Sequence, residues 1–450
     1  MISEAEMGES KYWEEEWETL PREDIEKKQL ESLKEIVKYA YDNTIYYKKS
    51  FDEAGVKPED IKTLEDIKKL PFIDKQTERK TQGIGSMVGE LCAVPENDIV
   101  FISASSGSTG VPTISPFTQK DFDEWMNIES RLMYQAGMRK HDRYMHGINF
   151  SLFVGGPCVL GAQRLGAMGI WAGTLPSDRL LYIIQQFKPT FIQTTPSYAL
   201  YLGETAKKKG IDPKSLSVKR IIVAGEPGGS IPATRNAIEA LWDAKLIEFY
   251  GLSDIFGACA GMCDEQHGLH LAEDHILVET VDPKTGDVLK DGETGELVFT
   301  SIRKHARPMI RFRTGDIGYV DKSTCKCGRT SARIHIVGRK DDMFIVSGVN
   351  IFPSDVETVL RDFEGITGEY RIHVFERDYT ARYGVEVEKE KPDADVEDIK
   401  KRVVAALKSR IGVKPDYISV LADGELPRAE HKAKRLIDER EHKIDQAILI

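Results

Sequence analysis

The chain has 450 residues, of which 41% are hydrophobic and 30% charged, enough apolar material for roughly two to four domains and too ordered a composition for a disordered or collagenous chain. Its 62 basic against 73 acidic side chains give a net charge of -11, which excludes a general nucleic-acid coat and an anionic membrane surface as partners. Any anion it binds must be held locally.

No run of about eighteen apolar residues occurs, so no transmembrane helix is expected. Met1 to Glu6 is acidic and lacks the basic start, apolar middle and small-residue site of a secretory signal, which points to a cytoplasmic protein. Six cysteines in so long a chain do not make a disulfide framework, and Cys325 and Cys327, one residue apart, point to thiols or a metal site.

Residues 12–80 are dense in Glu, Lys and Leu, with helical spacing in Leu30, Leu33, Ile36, Val37 and Ala40, and read as helical. From Ile99 short β-rich runs (Ile99 to Ile102, Arg220 to Ala224) alternate with helical stretches such as Ser177 to Phe187, the pattern of a mixed α/β domain. Beyond Val337 the order is strand (Met343 to Val346), helix (Ser354 to Phe363), strand (Tyr370 to Phe375) and helix (Asp395 to Ile411), which predicts a small α+β domain. The expected division is therefore 1–337, with a helical segment 1–80 and a mixed α/β core 81–337, followed by a small α+β domain 338–450. The basic stretch Arg428 to Lys443 reads as a solvated helix face or tail.

Ser103 to Thr113 is the most informative stretch, because Ser105, Ser106, Gly107, Ser108, Thr109 and Gly110 let backbone N–H groups and hydroxyls converge on phosphate oxygens. It is not a Walker A loop, since Val111 follows Gly110, and Pro112 and Pro116 oppose a helix. Gly83-Ile84-Gly85 lacks the dinucleotide-binding spacing, and Gly251-Leu252-Ser253-Asp254-Ile255 lacks the second glycine of a nucleophile elbow, which weakens a serine hydrolase.

In order, Ser105 to Thr113, Ala224-Gly225-Glu226-Pro227, Phe249 to Asp254, Arg313-Thr314-Gly315-Asp316 and Gly338 to Asp342 resemble the core motifs of the adenylate-forming acid ligases. Thr195 to Leu200, Gly348 to Pro353 and Leu426-Pro427-Arg428 narrow the resemblance to the phenylacetate–CoA ligase group. The resemblance implies an acyl-adenylate made from a carboxylic acid and ATP with release of pyrophosphate, then acyl transfer to coenzyme A. A carboxylate must there approach an anionic α-phosphate, so a cation between them and Mg²⁺ on the pyrophosphate are the expected parts.

By the motif, Lys432 is the adenylation lysine, with Lys434 its rival, and Asp316 accepts the ribose hydroxyls. Tyr250 stacks on adenine beside Gly225, Glu226 and Pro227; Gly251 and Ser253 complete that turn, and Arg339 reaches nucleotide oxygens. Asp341 falls at the family's hinge, and its rotation would deliver Lys432 in one half-reaction and withdraw it in the other. Asp254 stands where a metal-binding Glu is usual and is the expected Mg²⁺ ligand. Val111, Asp254 and His431 depart from the usual Lys, Glu and Gly. The acid pocket is expected around Ile148, Phe150, Phe153 and Tyr198, apolar, with Asn149 and Ser151 able to bond a hydroxyl.

Cys325 and Cys327, completed by Cys263 and His270, form a candidate structural zinc site, with Cys259 and His267 as competitors for two of the positions. The resulting expectation is an ATP-dependent acid–CoA ligase acting on an aryl-acetic or similar small apolar acid. A 2-hydroxy or aliphatic acid, a non-CoA acceptor, or a regulator without turnover are the alternatives. The length leaves a homodimer open.

Overall fold

The computed structural model describes residues 10–105, 112–148, 150, 155–173, 175–347, 349–377, 380–428 and 433–440. The N-terminal segment is helical as expected: α1 (Glu15–Glu18), α2 (Arg22–Asn43), α3 (Ile45–Ala54) and α4 (Lys75–Thr81). Helix α2 buries Ile25, Gln29, Leu33, Ile36, Val37 and Ala40, one stripe at helical spacing, into the main core. At α4, the Asp74 carboxylate caps the helix by accepting the Thr77 N–H at 2.8 Å, which sets Lys75 in the first turn.

A hairpin of β1 (Ile99–Ala104) and β2 (Ile114–Thr118) precedes α5 (Gln119–Gln135). The mixed α/β reading is borne out by an eleven-stranded sheet in the order β10-β11-β12-β13-β9-β8-β7-β6-β5-β3-β4. Its parallel half comprises β3 (Arg143–His146), β4 (Met168–Trp171), β5 (Phe191–Thr194), β6 (Arg220–Val223) and β7 (Lys245–Gly251). The helices of this half are α6 (Cys158–Leu165), α7 (Ser177–Phe187), α8 (Pro196–Lys208) and α9 (Pro232–Trp242). These strands are near-continuous apolar runs because helices cover them; Ile221, Ile222 and Val223 of β6 are wholly buried. The antiparallel half consists of β8 (Ala258–Gly261), β9 (Leu269–Leu271), β10 (Ile276–Val281), β11 (Gly295–Ser301), β12 (Phe312–Asp321) and β13 (Arg333–Arg339).

A short turn, Lys340–Asp342, leads from β13 to elements with a core of their own. These are the hairpin β14 (Phe344–Val346) and β15 (Val349–Ile351), α10 (Pro353–Leu360), β16 (Ile366–Arg377), β17 (Thr380–Lys389), α11 (Val396–Ile411), β18 (Tyr417–Leu421) and β19 (Leu436–Asp438). The four-stranded sheet here runs β18-β17-β16-β19, and β16 is twice the length the sequence suggests. The basic tail is the clear departure from the sequence reading: residues 436–438 are a strand parallel to β16, not a helix. Leu436 and Ile437 find ladder partners on β16, Arg435 lies 4.6 Å above the Tyr370 ring while pairing with Glu369, and Arg428 and Arg440 pair with Glu388 and Asp438. Among the described residues no helix is long and apolar enough to cross a membrane.

Candidate active site

In an open parallel sheet, loops leaving the carboxyl ends of the strands form the crevice where ligands bind. Here those loops are Thr195-Pro196 after β5, Ala224 to Pro227 after β6 and the turn after β7, the segments the motifs single out. Gly225 has φ +90, a left-handed backbone that lets the chain turn at once after β6. A Cβ on Gly251 would lie 1.5 Å from the Gly257 carbonyl oxygen, so only glycine closes the turn after Tyr250.

Three of the expected nucleotide residues converge. The Tyr250 hydroxyl donates to Asp316 Oδ2 at 2.5 Å, and Arg339 Nη1 lies 3.7 Å from Asp316 Oδ1. Burial drives the Tyr250 phenol well above its ordinary value, so it remains a donor. Ser253 lies on the same turn, where its carbonyl accepts a long 3.5 Å bond from the Ser103 hydroxyl.

Ser105 and Thr113 close the neck of the phosphate-loop hairpin through Ser105 N–H to Thr113 O and Thr113 N–H to Ser105 Oγ, both 3.0 Å. Ser106, Gly107, Ser108, Thr109, Gly110 and Val111 lie outside the described residues, as do Asn149, Ser151, Phe153, His431 and Lys432.

At this neck stands a residue the sequence reading missed. Lys75 Nζ donates to Thr113 Oγ1 at 2.9 Å and to Asp254 Oδ1 at 2.5 Å, with its side chain still a third exposed. Asp254 is buried, with Arg307 Nη2 3.8 Å away. Burial works to raise the Asp254 carboxyl, yet the Lys75 and Arg307 charges hold it below its ordinary value. Glu78, one helical turn beyond Lys75, pairs with Arg307 at 2.7 Å; burial first and then the Asp254 charge push it up to about 7. The only early sign of Lys75 is the Asp74 cap, which fixes where α4 begins but says nothing of what its first turn faces.

Of the expected acid-pocket residues, Phe150 lies 4.6 Å from the His146 ring and stacks on Trp171 at 5.4 Å, forming an aromatic edge at the ends of β3 and β4. Ile148 is half-buried on the same loop. Tyr198 belongs instead to the core under α7 and α8, its hydroxyl 2.9 Å from Ser177 Oγ. Glu226 is turned toward the C-terminal segment: Oε1 accepts Ser197 N–H at 2.7 Å and Oε2 accepts Ala433 N–H at 2.8 Å. Asp341 is exposed in the turn joining the two cores, 3.9 Å from Arg339 Nη2.

Away from the crevice, Cys263, His270, Cys325 and Cys327 are all buried, with ligand atoms within 4.8 Å of one another. Cys263 Sγ to Cys325 Sγ is 3.8 Å and His270 Nε2 to Cys327 Sγ is 3.4 Å. His267 is not in this group; its Nδ1 faces Arg333 Nη1 at 2.9 Å, and Arg333 also binds Asp321. Cys259 is buried in the main core.

Two family models match the chain, AMP-binding enzyme over residues 21–303 and AMP-binding enzyme C-terminal domain over 348–440. A phenylacetate-coenzyme A ligase of Thermus thermophilus is 34% identical over 447 residues, covering 94% of this chain and 99% of its own. One from Aromatoleum evansii is 36% identical over 434 residues, covering 94% and 96%. The crystal structure of 2-hydroxyisobutyryl-CoA ligase in the postadenylation state with 2-HIB-AMP matches with TM-score 0.92 at 28% identity, covering 96% of this chain and 94% of that one. The same ligase with 2-HIB-AMP and CoA in the thioesterification state matches with TM-score 0.72 at 29% identity, covering 96% and 93%. With these motifs in order and this coverage, the chain belongs to the AMP-binding enzyme family, in its phenylacetate–CoA ligase group of ATP-dependent, AMP-forming acid–CoA ligases.

Proposed function

We propose that this ligase activates a small apolar acid of the aryl-acetic type, with Tyr250, Asp316 and Arg339 seating the nucleoside, Lys75 serving the phosphates and Lys432 joining the two anions. The carboxylate oxygen attacks the α-phosphorus of ATP and pyrophosphate leaves; the CoA sulfur then attacks the acyl carbonyl and AMP leaves. The observation that carries the reading is the convergence of the Tyr250–Asp316–Arg339 cluster and the Lys75–Asp254 pair on the loops at the carboxyl ends of the parallel strands. Asp316 supplies the carboxylate that would accept a ribose hydroxyl, and Arg339 balances its charge. The phosphate loop lacks a lysine at Val111, and Lys75, half-solvated at the loop's neck, is positioned to replace that cation.

Mg²⁺ fits Asp254 poorly. Its carboxylate is already held by the Lys75 ammonium and flanked by Arg307 and Glu78, so a divalent ion there would have to share it with two cations. No step here depends on a metal at Asp254. Asp341 and its neighbours are the proposed hinge, and the boundary near residue 338 the proposed limit of the moving unit; the higher TM-score to the postadenylation state than to the thioesterification state supports a rotation between half-reactions.

The donor set at Cys263, His270, Cys325 and Cys327 fits zinc. Zn–S bonds of about 2.3 Å at tetrahedral angles put sulfurs about 3.8 Å apart, the separation observed between Cys263 and Cys325. His270 Nδ1 is 3.0 Å from Ser331 Oγ, which orients the ring with Nε2 toward the sulfurs. Four protein ligands leave no position for substrate, so the ion's contribution is structural. The same loop carries Arg329, bonded to Glu18 at 2.5 Å, and so ties the N-terminal segment down. We predict about one zinc per chain by metal analysis, lost in Cys325→Ser together with a lower Tm; unchanged zinc content contradicts the ligand set.

One observation favours a second reading of the acid. The Tyr144 hydroxyl donates to Gln193 Oε1, which can only accept, so His146 Nδ1, 2.9 Å away, donates to the Tyr144 oxygen. That tautomer leaves Nε2 as a bare acceptor, and it is buried without a partner among the described residues. Burial holds the imidazole down to about 4, so it stays neutral at physiological pH. A hydroxyl on the acid would satisfy it. ATP–pyrophosphate exchange across phenylacetate, aliphatic and 2-hydroxy acids decides: phenylacetate leading supports the first reading, and a hydroxy acid leading, with the preference lost in His146→Leu, supports the second. No exchange with any acid contradicts both.

A further inference from the structure

The segment that follows Lys432 is gripped from two sides. Within the C-terminal unit, the Arg435 carbonyl accepts Ile372 N–H at 2.7 Å and the Arg435 guanidinium pairs with Glu369 at 3.1 Å. From the other unit comes Glu226, on the turn after β6. One of its oxygens takes the N–H of Ser197, a first-turn donor of α8 that the helix itself cannot satisfy, and the other takes the N–H of Ala433, the residue next to Lys432. A half-buried carboxylate with each oxygen on a backbone donor, one in each unit, has this satisfaction only while the units stand in the present arrangement.

We infer that Glu226 is a positioning residue: its carboxylate clasps the Lys432 segment to the N-terminus of α8 and so holds the enzyme in the arrangement that makes the adenylate. The inference rests on the reading of Lys432 as the adenylation lysine. A second crossing contact works in the same direction. Thr234 Oγ1 on α9 donates to Glu357 Oε1 on α10 at 2.6 Å. Glu357 also receives Arg361 at 2.9 Å and the Tyr370 hydroxyl at 3.0 Å. Arg361 reaches Glu369, which holds Arg435, so the network runs from α9 to the far side of the same segment. When the units rotate for thiol transfer, the Glu226 and Thr234 contacts are the ones that part, and the freed carboxylate is then met by water.

The test measures both half-reactions on one preparation: single-turnover formation of acyl-adenylate, and thioester formation from supplied acyl-adenylate and CoA. Their ratio is independent of how much protein is correctly folded. In Glu226→Gln one oxygen becomes an amide that faces a backbone donor, and in Glu226→Asp the side chain is too short to span both donors. Each is expected to lower the ratio of adenylation to thioester formation about tenfold or more, the scale of one charge-assisted hydrogen bond. Thr234→Val, which removes one donor from a carboxylate that keeps Arg361 and Tyr370, is expected to lower it a few-fold. Because the clasp acts through Lys432, adding Glu226→Gln to Lys432→Ala is expected to cause no further loss of adenylation. An unchanged ratio in both Glu226 variants, or full additivity with Lys432→Ala, overturns the inference. Should Lys432→Ala itself spare adenylation, the reading of that lysine fails, and the ratio in the Glu226 variants alone then decides whether the clasp sets the arrangement.

Discussion

Replacing Lys432 by alanine is expected to lower adenylate formation by about a thousandfold while leaving thioester formation from a supplied acyl-adenylate within a few-fold of the parent. The physical problem in the first step is two anions that must touch. A mobile ammonium between the carboxylate and the α-phosphate offsets their repulsion at the moment of attack. In the second step the bond to be broken lies between carbonyl carbon and phosphate oxygen, the attacking group is sulfur, and the proposed rotation carries the lysine away. The neighbouring Ala433 N–H is bonded to Glu226 on the turn after β6, which brings the chain at that point to the rim of the crevice. ATP–pyrophosphate exchange and a coupled thioester assay on the same variant check the prediction; equal loss in both steps contradicts it. Lys434→Ala, the rival, is expected to leave the ratio of the two steps unchanged.

Lys75→Met is expected to raise the KM for ATP about 10- to 100-fold, the cost of one lost charge-assisted contact to phosphate, with a smaller effect on the KM for the acid. Lys75 touches the hydroxyl at the loop's neck and the Asp254 carboxylate, and its side chain remains partly open to solvent, where a triphosphate can reach it. Its removal leaves Asp254 and Glu78 with Arg307 as the remaining cation of the cluster. Lys75→Arg keeps the charge and is expected to recover most of the affinity. An unchanged KM for ATP in Lys75→Met removes this residue from the phosphate site.

The family was legible because its motifs are local in sequence: a hydroxyl-rich glycine loop, an Arg-Thr-Gly-Asp turn and a Cys-Lys-Cys spacing stand in order along the chain. Strands such as Arg220 to Val223 and the helix Ser177 to Phe187 were legible because burial imposes a period on the residues themselves. What the sequence concealed depends on distant partners. Lys75 is one lysine among many in a helical segment until Asp254, far along the chain, lies beside it. The strand at 436–438 is hidden in a basic tail because its ladder partner is β16. Glu226 reads as a border of the adenine site, and its carboxylate is turned instead to Ser197 and Ala433. The tautomer of His146 is set by Tyr144 and Gln193, and Gln193 lies far along the chain.

The most direct test of the central claim, that the acid passes through a mixed anhydride with AMP, is isotopic. Acid labelled with oxygen-18 in its carboxylate is incubated with ATP, CoA and the enzyme, and the AMP is examined by mass spectrometry. The account predicts one labelled oxygen on the phosphate of AMP, because the attacking carboxylate oxygen stays with phosphorus when sulfur displaces it from the acyl carbon. Thioester formed with unlabelled AMP contradicts it.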